Sequence, residues 1–329
     1  MSLDKKLAEK ILISFAVGDA VGMPTEFMTL EQISEEIGFV NKLLPSSMSK
    51  NHSNLASGSI TDDTEQVIYL LKAFISKGIS VKSATDALLK WIEETDAIEK
   101  KYIGPSSLKA LNQVREGKDY NTTGIYGTTC GGIMRTLAPV LYSLAKGCNQ
   151  EELVENIKKT LIVTHNTSPA LESAVSYAFA LVEALDKNST LDSVLKAACN
   201  GALIGRNLAP YKLCCASTKD RIPFLQKFLK CNYFSDKDFM NFVYGVIGTS
   251  LESQDVASSV FALFIFCGKD VWKAITLAAS MGGDTDTIAA LSGALCTAFA
   301  KNHNIPKDIL DKVITINDLN FSKLLSGLT

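Results

Sequence analysis

Met281-Gly282-Gly283-Asp284-Thr285-Asp286-Thr287 is the stretch on which the reading of this chain turns. Gly282 and Gly283 permit a sharp backbone turn. Asp284 stands where a helix N-cap belongs, and Ile288, Ala289, Ala290, Leu291, Gly293, Ala294 and Leu295 follow as a helix of small apolar residues. A helix that is apolar nearly all round runs through a core rather than over a surface. The stretch therefore predicts a buried helix with Asp284, Thr285, Asp286 and Thr287 at its tip. The helix dipole stabilises a carboxylate there by only about 0.3–1 kcal/mol. A cation held by oxygen ligands is a stronger reason to keep two acids together, although a well-capped helix start explains this stretch alone equally well.

Outward from this stretch, helical periodicity appears almost everywhere and period-2 alternation almost nowhere. Helices are expected near 4–22, 80–94, 105–116, 132–147, 150–163, 168–186, 190–203, 235–248, 253–267 and 270–280. In the first, Leu7, Ile11, Phe15, Gly18 and Gly22 recur at steps of four or three, and the two glycines invite close approach of another backbone. Pro24 breaks the pattern and leaves Glu26 in the loop beyond. Residues 41–60 are rich in Ser and Asn and read as a long loop. Residues 205–234, with Pro210 and Pro223, read as an irregular surface excursion.

The loop over 41–60 leads into Thr61-Asp62-Asp63-Thr64-Glu65, and Val67, Leu70, Leu71, Phe74 and Ile75 then form one apolar stripe. This is a second acidic helix start, built from the same residue types as the first. A third feature is Gly127-Thr128-Thr129-Cys130-Gly131-Gly132 ahead of Ile133-Met134-Arg135. It reads either as a phosphate cradle of backbone N–H groups or as a tight interhelical turn. It matches neither a dinucleotide-binding nor a Walker A pattern. His165, one of three histidines, lies in the short polar loop Thr164–Ser168.

The 329 residues, 47% hydrophobic and 21% charged, describe a globular chain with a large core. A formal charge of −2 argues against nucleic-acid binding driven by phosphate neutralisation. Eight cysteines without a CxxC pair read as reduced, mostly buried thiols, with vicinal Cys214 and Cys215 assigned to packing. Lys5, Lys6 and Lys10 precede a short apolar run, but Glu9 and Asp19 interrupt any signal-peptide pattern. Val256–Cys267, the longest later apolar run, is too short to span a bilayer. A cytoplasmic monomer that contacts no membrane is the expectation.

Hard divalent cations prefer carboxylate, hydroxyl and water oxygens. Thr61-Asp62-Asp63 and Asp284-Asp286-Thr287 offer two such sets. A pair of cations between them accounts for both stretches at once, which capping does not. It also requires the first and last thirds of the chain to share one core.

Five stretches in order then resemble the ADP-ribosylglycohydrolase family. They are Gly18-Asp19-Ala20-Val21-Gly22-x-Pro24-x-Glu26, Thr61-Asp62-Asp63-Thr64, Cys130-Gly131-Gly132-x-Met134-Arg135-x-x-x-Pro139, Thr164-His165, and Gly282-Gly283-Asp284-Thr285-Asp286-Thr287. The resemblance implies an all-α fold, a compact single-domain orthogonal bundle over residues 1–329, with two Mg²⁺ or Mn²⁺ ions at converging helix N-termini. It implies Thr61, Asp62, Asp63, Asp284, Asp286 and Thr287 as metal ligands, and Glu26, in a mobile loop over the metals, or Asp63 as the proton-transfer group. Gly127, Thr128, Thr129, Cys130, Gly131, Gly132 and His165 would bind ADP-ribose. Asp19 would hold the Glu26 loop or serve a helix end. Cys130-Gly131 stands where several members carry Asn-Gly before the Met-Arg pair.

The implied reaction is hydrolysis of the glycosidic bond between ADP-ribose and an acceptor, on an ADP-ribosylated protein or a small ADP-ribosyl metabolite. The competing readings are a two-metal nucleotide pyrophosphatase and a non-catalytic ADP-ribose-binding or crystallin-like structural relative.

Overall fold

The computed structural model describes residues 3–100 and 102–328, so Met1, Ser2, Lys101 and Thr329 lie outside the description. The described chain is a single all-helical body without strands; its only β contacts are the isolated bridges Thr129–Glu252 and Thr167–Tyr211. The first part carries α1 (Lys5–Gly22), α2 (Leu30–Glu36), α3 (Asp62–Lys77), α4 (Val81–Thr95), α5 (Pro105–Arg115) and α6 (Tyr120–Thr123). The middle carries α7 (Leu137–Ala145), α8 (Gln150–Leu161), α9 (Ser168–Ala184), α10 (Leu191–Leu208), α11 (Thr218–Cys231) and α12 (Asp236–Phe242). The remainder is α13 (Ser253–Cys267), α14 (Val271–Ser280), α15 (Thr285–Ala300), α16 (Lys307–Ile316) and α17 (Phe321–Ser326).

Helix α15 is the axis of the body, buried on every side from Thr285 to Ala298. Helix α1 lies antiparallel against it at backbone distance. A Cβ on Gly18 would stand 2.4 Å from the Ala289 carbonyl oxygen, and one on Gly22 would stand 2.5 Å from Asp286 Cα. Only glycine permits such an approach. Hydrogen bonds lock the register: Thr285 Oγ1 donates to Gly22 O at 2.9 Å, and Thr297 Oγ1 donates to Ser14 Oγ at 2.7 Å. The α9–α10 hairpin covers another side, and Tyr177 of α9 donates to Leu291 O of α15 at 3.0 Å.

The reading of 205–234 as irregular is corrected by α11 and by the extension of α10 to Leu208. Pro223 sits inside α11, where it cannot supply the N–H that Lys219 O expects. Cys199 Sγ of α10 approaches that carbonyl instead, at 3.8 Å. Glu172 of α9, 1% exposed, accepts from Lys219 N at 3.1 Å and Ser217 Oγ at 3.0 Å and pairs with Arg206 at 2.7 Å. With Ile222 and Leu225 buried, these contacts outweigh the proline. The cysteine reading also changes. All eight are free thiols, but only Cys130 and Cys296 are buried, and Cys214 and Cys231 are exposed. No single described helix is long and apolar enough to cross a membrane.

The α1–α15 contact generates a direct test. Gly22→Ala should lower stability by at least about 2 kcal/mol in urea unfolding, because a methyl group driven against backbone has no side chain to displace. Ala20→Gly, two residues earlier and likewise buried, introduces no clash and should cost less, about 1 kcal/mol of helix propensity plus the loss of one buried methyl group.

Candidate metal centre and active site

The two acidic helix starts meet. Thr287 Oγ1, in the first turn of α15, donates to Asp63 Oδ2, in the first turn of α3, at 3.2 Å. Asp62, Asp63, Asp284, Asp286 and Thr287 line one cavity with Glu26, His52, Thr129, Cys130, Gly131 and Arg135. Neither N-cap residue spends its side chain on its own helix: Thr61 and Asp284 make no side-chain capping bond. Simple capping therefore does not account for the acids.

Asp19 does the capping in trans. Its buried carboxylate accepts from Thr61 N at 3.0 Å, Thr61 Oγ1 at 2.8 Å, Thr64 N at 3.1 Å and Thr64 Oγ1 at 2.5 Å. Asp19 thus secures the α3 N-terminus, and the Glu26 loop is held by other means. Phe27 N donates to Gly283 O at 2.8 Å and Gly283 N donates to Met28 O at 3.0 Å, so the loop is clasped to the Gly282-Gly283 turn. Both glycines hold positive φ, 79° and 82°, and a Cβ on Gly283 would stand 2.0 Å from Thr249 O. Phe27 itself sits at φ 60°, a strained conformation beside Glu26. From the other side, Lys50 Nζ reaches Phe27 O at 3.1 Å.

The 127–132 stretch divides. Thr129, Cys130 and Gly131 line the cavity, whereas Gly127, Thr128 and Gly132 do not. As a cradle of free N–H groups it is reduced, because Cys130 N donates to Leu251 O at 2.7 Å. His165 also stands behind the cavity rather than in it, fully buried. Its Nε2 contacts Thr129 Oγ1 at 3.0 Å and its Nδ1 contacts Thr164 Oγ1 at 2.8 Å. Burial, with the nearby Arg135 charge, holds its pKa well below the ordinary value, so it is a neutral strut for Thr129.

Two residues given no role by the sequence reading belong to the site. Arg135 is 1% exposed and donates to Gln66 Oε1 at 2.6 Å, Thr164 Oγ1 at 2.6 Å and Ser107 Oγ at 2.9 Å. Gln66 in turn donates to Asp62 Oδ2 at 3.0 Å. Burial lowers the guanidinium pKa to about 10, which leaves it charged at neutral pH and facing Asp62 and Asp63. His52, in the 41–60 loop, is 5% exposed, and its Nε2 lies 2.9 Å from Glu26 Oε2. Its signal in the sequence was slight: one histidine in a polar turn, nine residues before Thr61, with Ser49 Oγ accepting from His52 N at 2.9 Å.

The electrostatics follow from this crowding. Burial, then the Asp286 charge, raises the pKa values of Glu26, Asp62, Asp63 and Asp284 well above the carboxylate range. The same causes raise Asp19 to about 7. Asp286 is raised by burial, against opposing contributions from His52 and nearby hydrogen bonds. Asp63 Oδ1 and Asp284 Oδ2 are buried without a hydrogen-bond partner. Orphaned carboxylate oxygens, with few cations to balance them, fit a divalent-cation site. One donor atom from each of Glu26, His52 and Asp286 also falls within 4.8 Å of the others.

A family model described as ADP-ribosylglycohydrolase matches residues 3–325. The chain is 31% identical over 304 residues to an uncharacterized protein of Archaeoglobus fulgidus, covering 91% of this chain and 89% of that one. It is 26% identical to the uncharacterized protein YegU of Escherichia coli, over 95% and 93% of the two chains. To the ADP-ribosylarginine hydrolase Tri1 of Serratia proteamaculans it is 23% identical, over 95% and 76%. A solved chain from an ADP-ribosylglycohydrolase-related protein complex shares the fold, with a TM-score of 0.66 at 20% identity over 98% and 96%.

The raised carboxyl pKa values fix a sign for pH dependence. A carboxyl whose pKa is higher folded than unfolded binds more protons in the folded state between the two values, so stability falls as pH rises. For Asp19 that interval runs from 3.8 to about 7. In chelator, the thermal unfolding midpoint should therefore fall across this interval. The increase produced by Mg²⁺ or Mn²⁺ should also grow as pH rises, since cations compete with protons for the oxygens of the neighbouring carboxyls Asp62, Asp63, Asp284 and Asp286, whose pKa values are likewise raised. Scanning fluorimetry at matched ionic strength would show this; a midpoint that climbs steadily to pH 7 in chelator would contradict it.

Proposed function

The chain belongs to the ADP-ribosylglycohydrolase family, and we propose that it is a divalent-cation-dependent hydrolase that cleaves the glycosidic bond joining ADP-ribose to an acceptor and releases ADP-ribose. The observation that carries this reading is the meeting of the α3 and α15 N-termini at one cavity, with Glu26 facing them. Carboxylates of Asp62, Asp63, Asp284 and Asp286, with the hydroxyl oxygens of Thr61 and Thr287, would hold two Mg²⁺ or Mn²⁺ ions. Such ions, when bound, orient a ribose diol and lower the pKa of a bound water.

The chain's own groups supply the rest. Glu26 is the carboxyl group least committed to the helix starts, and burial with the Asp286 charge raises its pKa well above the carboxylate range, which favours the protonated form that a proton donor needs. Bond cleavage at C1 of the ribose leaves positive charge on the sugar, which the surrounding carboxylates favour. The leaving acceptor takes a proton as the bond to it breaks, and the attacking water gives one up. Thr129, fixed by His165, and Gly131 form the lip against which the diphosphate end would lie. Arg135, through Gln66, steadies Asp62. The acceptor follows from the family only as a class, an ADP-ribosylated side chain or a small ADP-ribosyl ester.

Product analysis tests the assignment. With Mg²⁺ or Mn²⁺ and ADP-ribosyl-arginine, ADP-ribosyl-serine or O-acetyl-ADP-ribose, chromatography should show ADP-ribose from at least one substrate. AMP would move the chemistry to the diphosphate, and tight binding with no turnover of any substrate would leave a binding role. Glu26→Gln should lower kcat by about 10²–10⁴-fold while ADP-ribose affinity changes by less than about threefold. Equal losses in both would make Glu26 a positioning group.

A further inference from the structure

We propose that His52 is a nitrogen ligand in the metal centre, and that this ligand makes the centre select a first-row transition ion such as Mn²⁺, Fe²⁺ or Co²⁺ over Mg²⁺. The inference rests on the cation-binding part of the reading above and not on its substrate.

His52 lines the cavity and is almost fully buried. Its ring is set by packing, with Nδ1 unspent and Nε2 directed only at Glu26. Tyr102 packs against it edge-on, with centroids 5.0 Å apart at 79°, and the Ser49 hydroxyl holds its backbone. Nδ1 has no hydrogen-bond partner. Nε2 approaches Glu26 Oε2 to 2.9 Å, yet Glu26 Oε2 accepts no hydrogen bond. Two such atoms at ion-pair distance, with no hydrogen bond accepted by Oε2, are spaced as neighbouring ligands of a shared ion would be. Adjacent corners of an octahedral site with bonds of about 2.0–2.1 Å are separated by about 2.9 Å. Asp286 supplies the third donor within 4.8 Å. Glu26 Oε2 would complete this edge, leaving the proton transfer assigned above to its second oxygen.

His165 provides the internal contrast. Both of its nitrogens are engaged by threonine hydroxyls, as a structural histidine requires. Every other side chain proposed for the cation site offers oxygen, a set that suits Mg²⁺ and Mn²⁺ alike. One imidazole breaks that parity, because nitrogen ligation favours transition ions along the divalent series and gives Mg²⁺ little.

The test is spectroscopic and needs no turnover. Mn²⁺ bound to the chelator-treated full chain should show ¹⁴N modulation in pulsed electron paramagnetic resonance, present in wild type and in His165→Gln and absent in His52→Gln. By calorimetry, His52→Gln should weaken Mn²⁺ binding about 10–100-fold and Mg²⁺ binding by less than about threefold. Mn²⁺ bound in wild type without nitrogen coupling would overturn the proposal and leave the cation site standing. Equal weakening of both ions in a folded variant would also overturn it. Failure of wild type to bind Mn²⁺ at all would remove the cation site itself.

Discussion

Everything at the site depends on two helices lying closer than side chains allow. Gly18 and Gly22 let α1 rest on the backbone of α15, and the carboxylate of Asp19, one residue from Gly18, is thereby carried to the end of α3. Three elements from distant parts of the chain are joined within a single turn of each. The acids are then positioned by backbone contact and by capping in trans, neither of which requires the acids to attract one another. They repel. The fold tolerates that repulsion because the α1–α15 interface and the apolar sheath around α15 are stabilised elsewhere, by burial of the kind that yields about 25 cal/mol per Å².

Two sets of polar groups at the cavity are organised differently. Along its back wall and behind it, Thr129, His165, Thr164, Arg135, Gln66 and Asp62 form an unbroken chain of hydrogen bonds. A fully satisfied buried network specifies one arrangement, since any member lost leaves another unpaired. In front, Asp63 Oδ1, Asp284 Oδ2, Glu26 Oε2 and His52 Nδ1 are unpaired. The site is rigid where it is held and unsatisfied where something is to be bound, which is the distribution a preorganised ligand site requires.

Much of this was legible in the chain because it rests on local signals. The small-residue helix after Asp284, the glycine pair on α1 and the two acidic helix starts each follow from spacing and residue type. Their meeting was inferred from charge, since four acids on two buried helix ends need a common counterion. What escaped depended on partners far along the chain. Pro223 reads as a helix breaker until Cys199 is known to reach the carbonyl it leaves free and Glu172 to hold the first turn of the helix. Asp19 reads as a helix-end acid, and nothing local reveals that its partners are at 61 and 64. His52 was hidden in a polar loop with no periodicity, and the backbone pairing of Cys130 with Leu251 hides the same way. Non-local hydrogen bonds have no sequence period.

The contact between Asp63 and Thr287 closes a span of 224 residues. Loop-closure entropy and dependence on distant contacts disfavour such a junction relative to helical hairpins such as α9–α10, which form from neighbours in sequence. Neither acidic set is a complete cage before that junction closes. A cation would therefore find little to hold on the nascent chain. Bound at the proposed site, it would act on the last step, as a lock on a body that has already collapsed. The order of assembly, helices first and charge cluster last, keeps the mutually repelling carboxylates apart until the rest of the molecule can hold them together.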